Sequence, residues 1–491
     1  MMKKYILLFI IGLSINCNAQ NSNVFLNRNF WKTNPDIKTI DKKISEGNDI
    51  SASSKNAFDG VTYAILGGVD NKTVKYLLSK QGNGVNKLTH DGRTYIFWAA
   101  NKNNLEIMKY LVSKGAKTDI TDSHGYSLLN FAATTGQKNK DIYDFIFSKN
   151  ADIKNEKNHN GANALLLIAP HLNDFSLAEY LISKGASIND KDNEGNGLFE
   201  YAAKGGNIEF LKTILKAGVN KGENTMIFAS QGLRRKKNSL KTYKFLESVG
   251  VNPNSIDKKG RNPLHSISYN NRDKKIYEYF INKGVNVNQQ DNSGNTPFMN
   301  AASRNKLEIV TYLSNYTNDI NLKDKKGSTA LNKAVSRNNV EVIAYLLNKG
   351  ADINTIDNEG NSIAFYLIDS YRERNSKDFD KKLQLLISNG IELNKNQHNN
   401  NSLIHVATKN NSISLLKKLE PFNIDVNIKN SNNLTALQIA AMKGKDDEII
   451  KYLLKIGANK DVTTEFGESI YDLALENELL QKQNVNISFL K

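Results

Sequence analysis

Short helical patterns alternate with polar turns along most of this chain. In residues 105–112, the apolar positions Ile107, Met108, Leu111 and Val112 recur at spacings of three and four, which puts them on one face of a helix. Gly115 follows as a residue that ends the helix. A second short helical pattern precedes this one. The pattern therefore predicts pairs of short helices that bury one side and are joined by turns.

These pairs repeat with a period of about 33 residues, which is typical of a solenoid. Each copy opens with a glycine and has an alanine seven positions later, as in Gly92 and Ala99 or Gly294 and Ala301. A turn that needs positive φ explains the glycine, and it also explains asparagine where glycine is missing. The predicted turn residues are Gly60, Gly92, Gly125, Gly161, Gly195, Gly222, Gly260, Gly294, Gly327, Gly360, Asn400, Asn433 and Gly467.

The repeated phrases resemble the ankyrin repeat, a β-turn finger followed by two antiparallel helices. The phrases that carry the resemblance are Asn262-Pro263-Leu264-His265, Thr296-Pro297-Phe298, Ser402-Leu403-Ile404-His405 and Thr435-Ala436-Leu437. Proline suits the first helical position, and the preceding Thr or Ser can cap the helix. The resemblance implies an all-α ankyrin-repeat solenoid of about 13 helix-turn-helix repeats with β-turn fingers. It also implies that His265 and His405 bond neighbouring turns.

The period accounts for nearly the whole chain, which leaves no room for a separate catalytic domain. We expect a signal peptide over residues 1–20 and a degenerate N-terminal capping repeat over residues 21–59. Ankyrin repeats then form a first arm over residues 60–221 and a second arm over residues 222–480. A polar C-terminal tail covers residues 481–491.

Two departures from the period distinguish this chain. Only four residues separate Gly218 from Gly222, so six residues of a finger are missing, and a basic loop follows at residues 232–237. We expect a missing finger, an exposed loop and a change in stacking that separates the two arms. Seven extra residues near 370–380 are expected to form a loop between paired helices.

The first twenty residues predict export. Lys3 and Lys4 precede an apolar run over residues 5–15, and small residues follow at 17–19 where signal peptidase cleaves. We expect a periplasmic protein with no transmembrane segment in the mature chain. Secretion to the medium is one alternative, and a lipid anchor on Cys17, the only cysteine, is another.

The sequence nominates no chemistry. The seven histidines show no metal-ligand spacing on one helix, and no glycine-rich phosphate loop occurs. We therefore expect no catalytic residue, no metal and no cofactor. The formal net charge of +16 accompanies a composition rich in Lys, Asn and Ile, so it identifies no partner by itself, and no nucleic acid is expected in this compartment.

Ankyrin proteins present fingertips and the ends of first helices to their partners, and here those positions are enriched in basic residues. The helix-end candidates are Lys102, Lys204, Arg304, Arg337, Lys409 and Lys443, opposed only by Asp369. The fingertip candidates are Lys258, Lys259, Lys325 and Lys326. This ladder predicts a protein partner, possibly of acidic character, whose binding weakens with salt. The alternative is a solvated basic face that reflects compositional bias.

These features together predict an exported, non-enzymatic scaffold that binds another macromolecule along the concave side of the solenoid. Two other functions remain open at this point. One is an accessory or protective partner of a periplasmic enzyme, for example in oxidative-stress defence. The other is a secreted effector or toxin-associated protein.

Overall fold

The computed structural model describes residues 23–491. The predicted signal segment and Cys17 lie outside the described residues. Within residues 23–491 the chain forms 28 α-helices with short 3-10 segments and no β-strand. The all-α fold confirms the class predicted from the sequence.

Two helices, α1 and α2, precede thirteen pairs, and in each pair we call the first helix inner and the second outer. Helices α1 and α2 span Arg28–Trp31 and Ile37–Ser45. The inner helices are α3 Gly60–Gly67, α5 Tyr95–Asn101, α7 Leu128–Thr134, α9 Ala164–Ile168, α11 Leu198–Gly205, α13 Thr225–Gln231, α15 Pro263–Ile267, α17 Pro297–Arg304, α19 Ala330–Arg337, α21 Ile363–Asp369, α23 Leu403–Lys409, α25 Ala436–Lys443 and α27 Ile470–Leu475. The outer helices are α4 Asn71–Leu78, α6 Leu105–Ser113, α8 Lys140–Phe147, α10 Ser176–Ser183, α12 Ile208–Lys216, α14 Leu240–Ser248, α16 Lys274–Asn282, α18 Leu307–Ser314, α20 Val340–Asn348, α22 Ser376–Ser388, α24 Ile413–Leu419, α26 Glu448–Lys455 and α28 Glu478–Lys482.

The inner helices form the core, and the outer helices contribute one face to it. Residues 95–100 of α5 are all buried, whereas α6 buries only Ile107, Met108 and Leu111. Inner helices of consecutive repeats pack against each other, as α17 does against α19. Since one helix pair cannot cover its own apolar side, burial depends on the neighbouring repeats.

Local capping decides where the inner helices begin. The side chain of Thr296 accepts a hydrogen bond from Met299 N, and Pro297 occupies the first helical position. Asn262 caps α15 in the same way, ahead of Pro263. These caps confirm the roles expected for the repeated phrases.

An aspartate three residues before the turn glycine shapes most fingers. The Oδ1 atom of Asp291 accepts hydrogen bonds from Ser293 N at 2.8 Å and from Asn295 N at 2.9 Å, while Gly294 has a φ of +81°. Aspartates bond their own turns in the same way at positions 122, 192, 257, 324 and 357. Side-chain acceptors of this kind replace backbone partners in turns.

Neighbouring fingers are also joined by backbone hydrogen bonds. Asn292 N donates to Lys259 O at 2.8 Å, Lys325 N to Ser293 O at 3.0 Å and Asn358 N to Lys326 O at 2.9 Å. Each finger thereby fixes the next one at the tip as well as at the helices.

The predicted turn at Gly60 is wrong by three residues. Gly60 is the first residue of α3, and the turn residue with positive φ in this repeat is Ala57 at 56°. Asp59 caps the helix through a hydrogen bond from Thr62 N at 2.9 Å, which fixes the earlier register. Among the other predicted turn residues, all but Gly222 have positive φ.

The finger expected to be missing is absent. Helix α12 ends at Lys216 and α13 begins at Thr225, and Gly222 does not adopt positive φ because no turn of the usual kind forms. The basic loop that follows α13 is a tight turn in which Leu233 N donates to Lys236 O at 2.8 Å. Arg234 and Arg235 are exposed on it. The predicted change in stacking stays a prediction.

The extra residues near 370–380 do not form the expected loop. They form a 3-10 turn at Glu373–Asn375 and lengthen α22 to 13 residues. Tyr371 and Phe379 are buried, and their rings meet edge-to-face with centroids 5.0 Å apart. This insertion folds because it brings its own apolar side chains to bury.

The described chain divides into two compact units, one ending at Gly222 and the other comprising Glu223–Lys491. At the C-terminus, Leu490 is buried and Lys460 Nζ donates to the Lys491 carbonyl at 2.9 Å. Within residues 23–491, no helix has both the length and the apolar composition needed to cross a membrane.

Candidate functional site

The structure places the predicted helix-end residues where the inner helices finish. Arg304, Arg337, Lys409 and Lys443 are the last residues of α17, α19, α23 and α25, and all four are exposed. The fingertip residues Lys258, Lys259, Lys325 and Lys326 are exposed as well. We call the surface of the second unit between these helix ends and the fingertips the inner groove.

The first unit presents fewer of the predicted residues. Lys102 is exposed as the residue after α5, whereas Lys204 is half-buried within α11. Its fingertips instead hold an ion cluster, in which Asp91 Oδ2 lies 3.4 Å from both His90 Nε2 and His124 Nε2. Arg93 Nη1 contacts the same oxygen at 3.1 Å. Charge at these fingertips is thus compensated within the protein.

Lys409 and Lys443 meet in the second unit. They lie beside a small cavity of about 260 Å³ that Ile439 and Ile449 also line. Burial lowers the pKa of Lys409, and the neighbouring Lys443 charge lowers it further. Two like charges held together in this way favour an anionic partner, because binding one relieves their repulsion.

A larger cavity of about 480 Å³ lies in the inner groove. Tyr269, Ser336 and Arg337 line it from the helix ends, and Lys326 and Glu359 line it from the fingers. Further lining residues include Ser303, Asp324, Lys333, Asp357, Phe365 and Tyr366. The cavity is therefore mostly polar, with aromatic side chains from two different repeats.

Two pairs of side chains within this cavity neutralise each other. Lys333 Nζ lies 2.6 Å from Asp324 Oδ2, and the Tyr366 hydroxyl donates to Asp357 Oδ2 at 2.6 Å. Burial acts to raise the pKa of Asp357, but this hydrogen bond and one from Asn361 N outweigh it and hold the pKa below its usual value. Burial raises the pKa of Tyr366, and the Asp357 carboxylate raises it further.

The sequence reasoning missed Tyr269, Lys333 and Tyr366, although one signal could have found two of them. The finger residue three before the turn glycine and the helix residue six after it are nine positions apart and bond each other. The pairs are Thr89 with Trp98, Asp192 with Tyr201, Asp324 with Lys333 and Asp357 with Tyr366. Recurrence of polar residues at this spacing marks where the finger meets its inner helix.

Arg304 and Arg337 have no such internal partner. Among residues 23–491, neither guanidinium lies within 4.0 Å of a carboxylate oxygen. Both lie near the Tyr269 ring: burial raises the pKa of Tyr269 and Asp291 raises it further, while the two arginines act to lower it. These side chains leave positive charge uncompensated at one end of the larger cavity.

The described residues do not assemble a metal site. Within residues 23–491, no three or more His, Cys, Asp or Glu side chains are placed to hold a metal ion. His265 and His405 are buried and bond the carbonyls of Asn295 and Leu434 in the following fingers, at 3.1 and 3.0 Å. That is the structural role expected for them.

Family models place the chain among known repeats. A model described as ankyrin repeats (3 copies) matches residues 61–157, 226–324 and 372–464, together more than half of the chain. Two models described as ankyrin repeats (many copies) match residues 166–215 and 312–365.

Similar proteins share only part of their length with this chain. The phosphocholine transferase AnkX of Legionella pneumophila is 28% identical over 209 residues, which cover 37% of this chain and 22% of that protein. The intracellular phospholipase A2 of Caenorhabditis elegans is 28% identical over 184 residues, covering 36% of this chain and 17% of that protein. The chain thus spans less than a quarter of the length of either relative.

Two solved structures are similar over parts of the chain. One is a chain from the complex of the predatory endopeptidase Bd0816 of Bdellovibrio bacteriovorus with the immunity protein Bd3460, at 25% identity and a TM-score of 0.33, covering 40% of this chain and 98% of that one. The other is the human ASB11 ankyrin repeat domain, at 21% identity and a TM-score of 0.38, covering 45% and 96%.

Proposed function

Because the chain belongs to the ankyrin-repeat family, we propose that it is a non-enzymatic scaffold that binds an acidic protein along its inner groove. Ankyrin repeats typically serve as frames for protein–protein interaction, and such frames derive specificity from their side chains. The partner would therefore be selected by the exposed residues of the groove.

One observation carries the acidic character of the partner. Arg304 and Arg337 end inner helices of consecutive repeats and have no carboxylate partner within the described chain. Adjacent packed helices lie 8–10 Å apart, so these charges form a ladder at about that spacing. A rigid ladder suits an extended acidic surface, because little conformational entropy is lost on binding.

Charge reversal in the groove tests the proposal. Arg304→Glu, Arg337→Glu and Lys443→Glu are combined in one variant, and the tagged protein is crosslinked in its native cells. Lys241→Glu, Lys275→Glu and Lys455→Glu make the matched control, since all three are exposed on outer helices and the net charge changes equally. We expect the groove variant to lose most of a partner that the wild type and the control both recover.

Equal recovery by the groove variant would overturn the proposal, provided that circular dichroism shows both variants folded. Recovery should also fall as ionic strength rises, because exposed charges are screened over about 8 Å at physiological salt. Recovery that is indifferent to salt would contradict an electrostatic interface.

We also propose that the protein is exported to the periplasm. The support is the pattern of Lys3 and Lys4 followed by the apolar run over residues 5–15. Cell fractionation and the mass of the mature N-terminus test this. A mature chain beginning near residue 21 would support cleavage by signal peptidase, a lipid-bearing Cys17 would replace soluble release with anchoring, and an uncleaved chain in the cytoplasm would contradict export.

A further inference from the structure

The larger cavity of the inner groove is the most enclosed polar space on that face with a defined charge pattern. At about 480 Å³ it can accommodate side chains of a bound peptide. Ser303 and Ser336 offer hydroxyl donors at the helix ends, next to Arg337 and the Tyr269 ring. Phe365 supplies an apolar surface from a different repeat.

The charges that remain available in the cavity are unequally distributed. Asp324 is compensated by Lys333 at 2.6 Å, and Asp357 accepts from Tyr366 at 2.6 Å. No ion pair compensates Arg337 or Lys326 within the described residues. Glu359 is the remaining carboxylate of the lining, on the finger side. The end near Tyr269 and Arg337 is therefore electropositive.

We propose that this end of the cavity binds the carboxylate of an acidic side chain from the partner, with Arg337 and the Tyr269 hydroxyl as its donors. This inference rests on the proposed function, since it assumes that a protein lies in the inner groove. Guanidinium and carboxylate are planar and form paired hydrogen bonds, which gives geometric specificity as well as charge attraction.

A singly charged carboxylate fits this site better than a phosphate. The carboxylates of Asp324, Asp357 and Glu359 line the same cavity and would repel a dianion more strongly than a monoanion. Tyr269 is 39% exposed, and the residues around the cavity hydrogen-bond elsewhere without using its hydroxyl, so that group can donate to a ligand.

Direct binding of a defined probe tests the site. The probe is a fluorescein-labelled decapeptide of alternating Glu and Gly with an amidated C-terminus, so that the side chains supply its carboxylates. The matched probe replaces Glu with Gln. Fluorescence anisotropy should show that the wild type prefers the Glu peptide. Arg337→Gln should weaken that binding about tenfold, because one charge-assisted contact is lost.

Arg272→Gln is the matched control, because Arg272 is exposed in the same unit but does not line the cavity. It should bind the Glu peptide as the wild type does. Tyr269→Phe should weaken binding by a smaller factor than Arg337→Gln, since it removes one neutral donor and keeps the ring. Thermal unfolding of each variant verifies that the fold is retained.

Four results would overturn the carboxylate site. They are no detectable binding of the Glu peptide at millimolar protein, equal binding of the Gln peptide, equal binding by Arg337→Gln and the wild type, and stronger competition by inorganic phosphate than by acetate. If the charge-reversed groove variant still fails to capture the cellular partner, only this inference falls. If peptide binding depends on Arg337 while the groove variant still captures the partner, the proposed function falls instead.

Discussion

A regular repeat and the repeat before the missing finger use opposite side chains at the same position. In the regular repeats this third residue of the inner helix is a histidine, His265 or His405. Nδ1 of His265 accepts from Asn262 N at 3.1 Å, and Nε2 lies 3.1 Å from the Asn295 carbonyl in the next finger. One ring thus joins the start of its own helix to the following repeat.

In α11, which precedes the missing finger, the equivalent residue is Glu200. Its Oε2 atom accepts from Gly197 N at 3.1 Å, so it caps the helix as histidine does. The following finger carbonyl is absent, and Gly222 approaches instead so closely that a Cβ atom there would lie 1.3 Å from Glu200 Oε1. The comparison shows that the side chain at this position matches what the next finger offers: a donor for a carbonyl, or an acceptor where none is present.

The largest expected effect is the loss of a bridging histidine. His265→Ala should destabilise the second unit by about 3 kcal/mol, because it opens a cavity and leaves the Asn295 carbonyl without its partner. Urea unfolding followed by circular dichroism measures it. His398→Ala is the control, since His398 is exposed on a finger, and it should cost under about 0.5 kcal/mol. Similar losses in the two variants would contradict the bridging role.

Filling the space beside Glu200 should have the next largest effect. Gly222→Ala is expected to cost about 1–3 kcal/mol, because the buried carboxylate must move. Gly84→Ala is its control, because no atom lies within 4 Å of a Cβ there. The fluorescence of Trp31 and Trp98, both in the first unit, reports the unfolding. Adding Glu200→Ala should make the cost of Gly222→Ala smaller, and full additivity would contradict their contact.

The two kinds of side chain should also give opposite pH dependence. Burial lowers the pKa of His265 and of His405, so their contribution to stability is present above about pH 6.5 and is lost as the pH falls through the folded pKa. Burial raises the pKa of Glu200, so its protonated form is favoured in the fold and stability falls as the pH rises above about 4.5.

Unit-specific melting temperatures test this contrast. Glu200→Gln should raise the tryptophan-detected melting temperature relative to the wild type at pH 7 and lose that advantage at pH 4. The double variant His265→Asn with His405→Asn should show a weaker loss of stability between pH 7 and pH 5. The same pH profile for the wild type and Glu200→Gln would contradict a buried carboxyl that resists ionisation.

The smallest effect on stability is expected in the basic loop beyond the missing finger. Arg234→Ala with Arg235→Ala should change the free energy of unfolding by under about 0.5 kcal/mol, because both side chains are exposed. Trypsin should nevertheless cleave the wild type there before it cleaves at Arg372 or Arg374, which lie beside the packed α22. Cleavage at Arg372 first would contradict the difference between the two departures from the period.

Much of the fold could be predicted because its rules are local. A glycine or asparagine reveals a turn with positive φ wherever the neighbouring cap agrees, as at Gly294 and Thr296. Gly60 misled because the spacing alone does not show which residue caps the helix, and Asp59 shifts the register by three. The larger cavity could be predicted only in part: Arg337 and Lys326 were expected on the groove, but Tyr269 gave no signal of its own.

The sequence by itself determined the helix pairs, their number, the fingers and the missing finger, since these follow from backbone conformation and apolar spacing within one repeat. The tertiary structure decided what those elements bring together. Contacts between residues more than 30 positions apart place Tyr269 beside Arg304 and Arg337, connect His265 to the next finger, and bury Tyr371 and Phe379 in an insertion that looks like a loop. Burial and charge compensation depend on neighbours from other repeats, and a single repeat does not encode them.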